Sequence, residues 1–476
     1  MNYRLMARIL GYTLAAEAAL LVLPLCAALH YRENPFPFLL TMGLLLVIGG
    51  AFLLIKLSSH DFFAKEGYVA VALSWIAISA FGALPFVISG EIPNYIDALF
   101  ESVSGFTTTG ASILPKVESL SRGLLFWRSL SQWAGGMGVL VFVLALFPTL
   151  GGRSIHIMRA EVPGPVLSKL VPRAHSTAAI LYSIYIAMTL LQIVLLMLGG
   201  MPVFDSIIHA LGTAGTGGFG MKNSNIAYYN STYIDIVIGV FMVLFSLNFN
   251  LYFLILMRKF SLIFKNEELR WYLCIILVVT LLITMDISHI YGSQSLRYSF
   301  FHVSSIISTT AYSTADFSLW PELSRNLLLL IMFIGGCAGG TGGGIKVSRF
   351  IILLKAAFME IHHMLHPRSV RSITLESKPV PEATIHTTLV FFALYMLIIM
   401  GSVLIVSLDN LDFASTFSGV LACISNIGPG FDVLGPAGNY GGLSYLSKLV
   451  LSMDMLLGRL EIFPMIILFS AFRRKG

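Results

Sequence analysis

The sequence predicts an all-α integral membrane protein: two N-terminal transmembrane helices, then four repeats of span, pore helix, filter turn and span around a central pore. Three observations carry this prediction. The 476-residue chain is 57% hydrophobic and only 11% charged, with a mean hydropathy of +0.84, whereas soluble domains carry about 25% charged residues. Its apolar runs are about 20 residues long, the length of a spanning helix rather than of a barrel strand. A polar turn rich in small residues recurs four times, at intervals of about a hundred residues. The four copies are Phe106-Thr107-Thr108-Thr109-Gly110-Ala111-Ser112, Thr213-Ala214-Gly215-Thr216-Gly217-Gly218-Phe219, Ser308-Thr309-Thr310-Ala311-Tyr312-Ser313 and Ser425-Asn426-Ile427-Gly428-Pro429-Gly430.

The first unit, 1–60, is an N-terminal hairpin. Arg4 and Arg8 precede an apolar run that ends near Cys26-Ala27-Ala28, superficially like a signal peptide. The run is too long for a signal core, and a second one, 38–55, follows the Asn34-Pro35-Phe36-Pro37 turn, so both are predicted to be retained. Glu17 lies inside the first span, where a lipid-facing carboxylate is costly; it is expected to face protein and make a structural polar contact.

Repeat one, 61–150, reads as a span at 68–89, an N-cap at Asp97, a half-helix at 98–105, the first turn, and a return span at 123–146. Repeat two, 151–260, has the same order: 180–198, 205–211, the second turn, 233–257. Repeat three, 261–365, has 272–285, 295–307, the third turn, and a span from 326 onward that a glycine-rich loop interrupts. Repeat four, 366–476, closes with 387–408, 412–424, the fourth turn and 446–469. The total is about ten spanning and four re-entrant helices.

Lys and Arg set the orientation. They crowd the connections between repeats: Lys56 and Lys65; Arg153, Arg159, Lys169 and Arg173; Arg258, Lys259, Lys265 and Arg270; Arg349, Lys355, Arg368, Arg371 and Lys378; then Arg473-Arg474-Lys475. These segments are predicted to be cytoplasmic, with both termini inside. The turn side carries acids, among them Glu91, Glu118, Asp316, Glu322, Asp409 and Asp432, which would concentrate cations at an outer mouth. The charge of +6 forms no basic stripe, so nucleic acid is not an expected partner.

A half-helix entering from outside and stopping midway aims its C-terminal carbonyls, with their partial negative charge, at the membrane centre. Four such ends favour a desolvated cation. The chain must then return outward in extended form, which calls for glycine, and Gly110, Gly217 and Gly428 are read as equivalent, with Ala311 in the third position. The predicted filter is Thr108, Thr109 and Gly110; Thr216 and Gly217; Thr310 and Ala311; Asn426, Ile427 and Gly428. A simple extracellular loop is the bland alternative, and fourfold recurrence weighs against it.

Gly339-Gly340-Thr341-Gly342-Gly343-Gly344 makes a continuous helix improbable, since each glycine costs about 1 kcal/mol against alanine. A phosphate-binding loop would need a Gly-Lys-Ser/Thr ending after a strand, and neither is present. Close helix packing is the remaining competitor. Arg459 in the last span needs a cavity or a partner, and Asp454 and Glu461 are near enough in sequence for an ion pair. His362, His363 and His366 lie in a basic linker and read as a solvated face, and Cys26, Cys274, Cys337 and Cys423 as small core residues, so no structural metal or disulfide is expected.

Several stretches together resemble the TrkH potassium-uptake subunits of the Trk/Ktr/HKT cation transporter superfamily, across nearly the whole chain. They are Phe100-Glu101-Ser102 leading into Thr107-Thr108-Thr109-Gly110, Gln132-Trp133-Ala134-Gly135-Gly136-Met137-Gly138, Glu161-Val162-Pro163-Gly164-Pro165, the 335–344 glycine run with Lys346, Asn426-Ile427-Gly428-Pro429-Gly430, and Gly458-Arg459-Leu460-Glu461. The resemblance implies potassium uptake across the bacterial inner membrane, with K+ held at the filter residues. It also implies a homodimer with one pathway per subunit and a TrkA-like cytosolic ring that binds the regulatory nucleotide (ATP/ADP or NAD), this chain itself carrying no covalent cofactor. Gly339 to Gly344 would obstruct conduction below the filter, and Arg459 would line the pore. Ala311 departs from the pattern, which usually has glycine there. An ion-coupled (Na+ or H+) secondary potassium transporter is the alternative, because broken helices are expected there too; no catalytic constellation suggests an enzyme.

Overall fold

The computed structural model of the protein describes residues 2–56, 64–138, 174–369, 372–376 and 378–472. The sequence features at 139–173, Arg371 and the basic tail from Arg473 lie outside them. Among the described residues, six helices are long and apolar enough to cross a membrane: Tyr3–His30, Phe36–Leu53, Lys65–Ser89, Ala178–Leu198, Glu267–Asp286 and Glu382–Asp409. These are the hairpin and the first span of each repeat. Among the described residues, one two-stranded antiparallel hairpin, Thr374–Leu375 with Lys378–Pro379, accompanies the helices.

The second spans are where the structure departs from expectation. A break is predicted only in repeat three, yet the second span of repeat two bends by 92° between Thr232–Phe245 and Phe249–Leu256. That of repeat four stops at Tyr445–Arg459 and resumes at Phe463–Phe472, with Glu461 and Ile462 at positive φ between them. In repeat one, Arg122–Gly136 ends just before the last described residue, Gly138. The break in repeat two has a physical role. It frees backbone groups that the glycine run of repeat three takes up: Cys337 N donates to Ser246 O (3.0 Å), Thr341 N to Phe245 O (3.2 Å), and Phe249 N to Gly339 O (3.1 Å).

Polarity is inverted relative to a soluble protein. Leu46, Val47, Leu277, Leu397 and Met400 are exposed on the outer faces of spans, while Thr108, Thr109, Thr216, Thr309, Thr310 and Asn426 are fully buried in the middle. This suits an apolar solvent outside and a polar pathway inside. Cys337 and Cys423 are buried, but Cys26 and Cys274 lie on the outer surface, so only two of the four are core residues; all four are free thiols.

Four half-helices converge on that polar centre. The first is Tyr95–Phe106, capped by Asn94, whose side chain accepts from Ile96 N (2.8 Å). Asp97, the predicted cap, instead lies in its first turn and pairs with Lys448 (2.6 Å). The second, Val203–Gly215, extends the predicted half-helix at both ends; the third, Ser295–Ile307, has the predicted bounds; the fourth, Phe413–Ile424, is capped by Asp412. Glycine lets the second spans pass these ends closely. A Cβ on Gly135 or Gly458 would collide with the last carbonyl of the first or fourth half-helix, Phe106 O or Ile424 O.

Candidate functional site

Each half-helix ends in the same way. One residue takes a left-handed conformation, Thr108, Thr216, Thr309 or Asn426, with φ between 55° and 59°. The next N–H then reaches back five residues: Thr109 N to Ser104 O (2.9 Å), Gly217 N to Gly212 O (2.9 Å), Thr310 N to Ser305 O (2.8 Å) and Ile427 N to Ala422 O (2.8 Å). This is the 6→1 bond of a Schellman cap, with Thr or Asn where glycine is usual. Two residues beyond the left-handed cap, φ is positive again, at Gly110 (82°), Gly218 (73°), Ala311 (73°) and Gly428 (103°).

These bonds fix the register and correct one assignment. Gly217 matches Thr109, Thr310 and Ile427; the residue equivalent to Gly110, Ala311 and Gly428 is Gly218. Thr309, absent from the predicted set, is the counterpart of Thr108. In a Gly-Gly pair composition offers no choice between neighbours, whereas the cap hydrogen bond does. The other predicted residues, Thr108, Thr109, Gly110, Thr216, Thr310, Ala311, Asn426, Ile427 and Gly428, all lie in the four converging turns.

The turns pack in a circle. A Cβ on Gly110 would strike Gly217 O, one on Gly218 would strike Thr310 O, and one on Gly428 would come within 2.5 Å of Thr109 O. Turns four, one, two and three are therefore neighbours in that order. Just outside them Asp432 N donates to Ser318 Oγ (3.0 Å) and the rings of Phe317 and Phe431 meet edge to face, joining turn three to turn four. Only Ala311 carries a methyl at this level. It lies 3.3 Å from where a Gly110 Cβ would project.

Side chains behind the turns hold them. Gln132 Nε2 donates to Gly217 O (2.6 Å) and its Oε1 accepts from Phe219 N (3.1 Å). Tyr440 donates to Gly428 O (2.7 Å), and Tyr312 to Phe219 O (3.2 Å). Glu101, buried at the first turn, accepts from Ile113 N (3.0 Å) and Ser112 Oγ, and pairs with Arg128 (2.6 Å), whose guanidinium lies 3.9 Å from the Phe219 ring centroid. Gln132 and Glu101 stand in the sequence motifs without a role there; for Gln132 the sequence signal is a polar side chain three residues before the Gly135-Gly136 pair, and for Glu101 a carboxylate inside an apolar half-helix.

Cavities open on either side of the ring. The outer one, about 110 Å³, is lined by Gly110, Gly218, Ala311 and Gly428 among others. The inner one, about 50 Å³, is bounded by Gly136, Gly339, Gly340, Gly342 to Gly344 and Arg459. The predicted gate residues, Gly339, Gly340, Thr341, Gly342, Gly343 and Gly344, form a loop, buried at Thr341 to Gly343 and half-buried at its ends, pinched shut by a bridge between Ile334 and Ile345. The loop is tied to the turns directly, for Gly343 N donates to Thr309 Oγ1 (2.7 Å). It is tied to its base by Glu268, which accepts from Ala338 N (2.8 Å) and Ser348 N (3.0 Å), and by Lys346, whose ammonium donates to Gly342 O.

Arg459 joins the two levels. Its guanidinium donates to Thr341 O (2.8 Å), Thr108 Oγ1 (3.2 Å), Gly136 O (2.6 Å) and Gly135 O. The predicted alternative, an ion pair with Asp454 or Glu461, is not what forms: Asp454 accepts from Ser402 (2.9 Å) and Glu461 pairs with Arg349. The C-terminal carbonyls of Arg122–Gly136 supply the partial negative charge instead.

A family model described as TrkH, cation transport protein, matches residues 38–474. The Trk system potassium uptake protein TrkG of Escherichia coli K12 is 36% identical, over 99% of this chain and 98% of its own length. The Trk system potassium uptake protein TrkH of Halomonas elongata is 35% identical over the full length of both. The crystal structure of the potassium transporter TrkH from Vibrio parahaemolyticus is similar throughout, with a TM-score of 0.88 and 33% identity over all of both chains.

Proposed function

The chain belongs to the TrkH family of cation transport proteins, and from that premise we propose that it takes up potassium across the bacterial inner membrane through a gated, channel-like pore. The observation that supports this best is the set of four identical helix caps whose following carbonyls crowd one ring. A cation entering the outer cavity would exchange part of its hydration shell for those carbonyl oxygens. Transport chemistry, not catalysis, is the role: its relatives are named as uptake proteins.

Below the ring, the loop at 339–344 acts as the gate, and Arg459 sets its height. A fixed positive charge bonded to both Thr108 and Thr341 opposes a cation leaving the filter, because little water screens it there. The loop's low helix propensity lets it move without sliding a whole span. Replacing Arg459 by Ala is expected to raise K+ flux in liposomes. It should also lower thermal stability, since the carbonyls of Thr341, Gly135 and Gly136 lose a donor. Stable protein with flux no higher than the parent would eliminate the electrostatic gate.

The subunit would work as a homodimer beneath which a TrkA-like nucleotide-binding ring sits, against cytoplasmic basic residues such as Arg258, Lys259 and Lys265. Anionic lipid competes for the same charges. Recovery of no cytosolic nucleotide-binding protein in a detergent pull-down that preserves the complex would count against this partner.

A further inference from the structure

Glu17 faces protein, as its position in the first span requires, but it does not make the polar contact expected of it. Both of its carboxylate oxygens are without a hydrogen-bond partner, and the residue is 2% exposed. It points at the junction of the first helix, the span Ala64–Gly82 and the first half-helix. The point where a Cβ on Gly82 would sit lies 3.3 Å from Glu17 Oε1, 2.8 Å from Ser102 Oγ and close to the Phe106 ring. Ser102 Oγ and Ser79 Oγ are likewise buried and unpartnered. Ser102 is one helical turn before Phe106, after which the Thr108 cap begins.

Among the described residues, no counter-charge is paired with Glu17 on the elements around this junction; on Tyr445–Arg459, packed against the half-helix, Lys448 is bonded to Asp97, Asp454 to Ser402 and Arg459 to backbone carbonyls. Phe36–Leu53 has no titratable residue. On Ala64–Gly82 the ionisable groups, Lys65, Glu66 and Tyr68, sit at the far end. Asp97 and Glu101 of the half-helix are paired with Lys448 and Arg128, Tyr95 donates to Ala80 O, and Arg122 lies over Tyr31. Cys26 and His30 of Val22–His30 lie beyond the next helix break. On the first helix itself Tyr3 and Arg4 are near its start, Tyr12 is five residues off, and Arg8 is nine residues, roughly 13 Å, away. A metal cation would want about six oxygens; this junction offers the Glu17 carboxylate and the Ser102 hydroxyl beside an aromatic ring.

We propose that Glu17 is a proton-binding site, and that its proton keeps the first half-helix seated at the Gly82 junction, where the first helix and the span Ala64–Gly82 meet it. The neutral acid can stay in the junction beside Ser102 without a counter-charge, whereas the carboxylate would have to draw water or a cation into it and so push on Phe106 and the turn that follows. Alkaline conditions therefore unseat one quarter of the ring. The coupling to flux rests on the potassium-pore reading; the proton site does not.

The test uses the full chain in liposomes with equal pH on both sides. At neutral pH the infrared spectrum is expected to show a protonated-carboxyl band that Glu17→Gln removes and Ser102→Ala shifts. A band unchanged by Glu17→Gln would overturn the site. K+ flux of the parent should fall several-fold from neutral to alkaline pH, while Glu17→Gln, which cannot lose a proton, stays flat; Glu17→Leu gives the same comparison if the glutamine variant folds poorly. Identical alkaline loss in parent and variant would overturn the coupling. A band that behaves as expected in protein that moves no K+ at any pH supports the proton site and counts against the pore reading instead.

Discussion

Ala311 holds a left-handed backbone at φ 73° with a methyl that its three counterparts lack. Left-handed alanine costs roughly 1–2 kcal/mol, and the methyl occupies the level at which Gly110, Gly218 and Gly428 leave their neighbours' carbonyls free. Ala311→Gly is expected to relieve both, raising K+ over Na+ discrimination or K+ flux, as measured by paired ion fluxes into liposomes. Unchanged selectivity and flux would show that this corner of the ring tolerates the methyl. The same residue-level view explains what sequence could and could not tell. Ala311, Gly110 and Gly428 were identifiable because each sits in a short polar turn between apolar runs. Gly218 and Thr309 were not, because each stands beside a residue of its own kind, and only the hydrogen bond from Gly217 N or Thr310 N decides which neighbour turns.

At the scale of elements, caps and breaks decide where chains enter and stop. Asp412 caps the fourth half-helix, and hydrogen bonding by Ser415, whose N–H donates to Asp412 Oδ2 (3.1 Å), holds the Asp412 carboxyl below the usual carboxylate range. A depressed value means that the stabilisation is present above the unfolded value of about 3.9 and is lost as the pH falls through the folded one. Asp412→Ala is expected to cost about 1 kcal/mol at neutral pH, or less because the residue is exposed, and almost nothing in strong acid. Thermal unfolding of both proteins at the two pH values reads this; equal stability at neutral pH would show the cap to be idle. The half-helices themselves were legible from Asp412 and from their spacing to the turns. Two of the breaks were not: Ser246-Leu247-Asn248 and Leu460-Glu461-Ile462 contain no glycine or proline, and tertiary contacts with the 339–344 loop and with Arg349 override their helix propensity.

For the molecule as a whole, fourfold recurrence was visible at a hundred-residue spacing, and the first spans followed from length and hydropathy alone. What the sequence concealed is how tightly the levels are joined. Two hydrogen-bonded links, Thr108–Arg459–Thr341 and Thr309–Gly343, run from the ring to the loop beneath it, with Glu268 anchoring the far side. On the proposed channel reading, such a pore would open by releasing the loop while the ring stays in place, so ions should pass down their own gradient once it is open. Coupled transport would instead need the ring or its flanking spans to rearrange in each cycle. Single-channel recording of the purified chain, with its loop gate weakened by Arg459→Ala, tests this most directly. The account predicts discrete currents whose reversal potential follows the K+ gradient alone; a reversal potential that shifts when only the Na+ or H+ gradient is changed would contradict it.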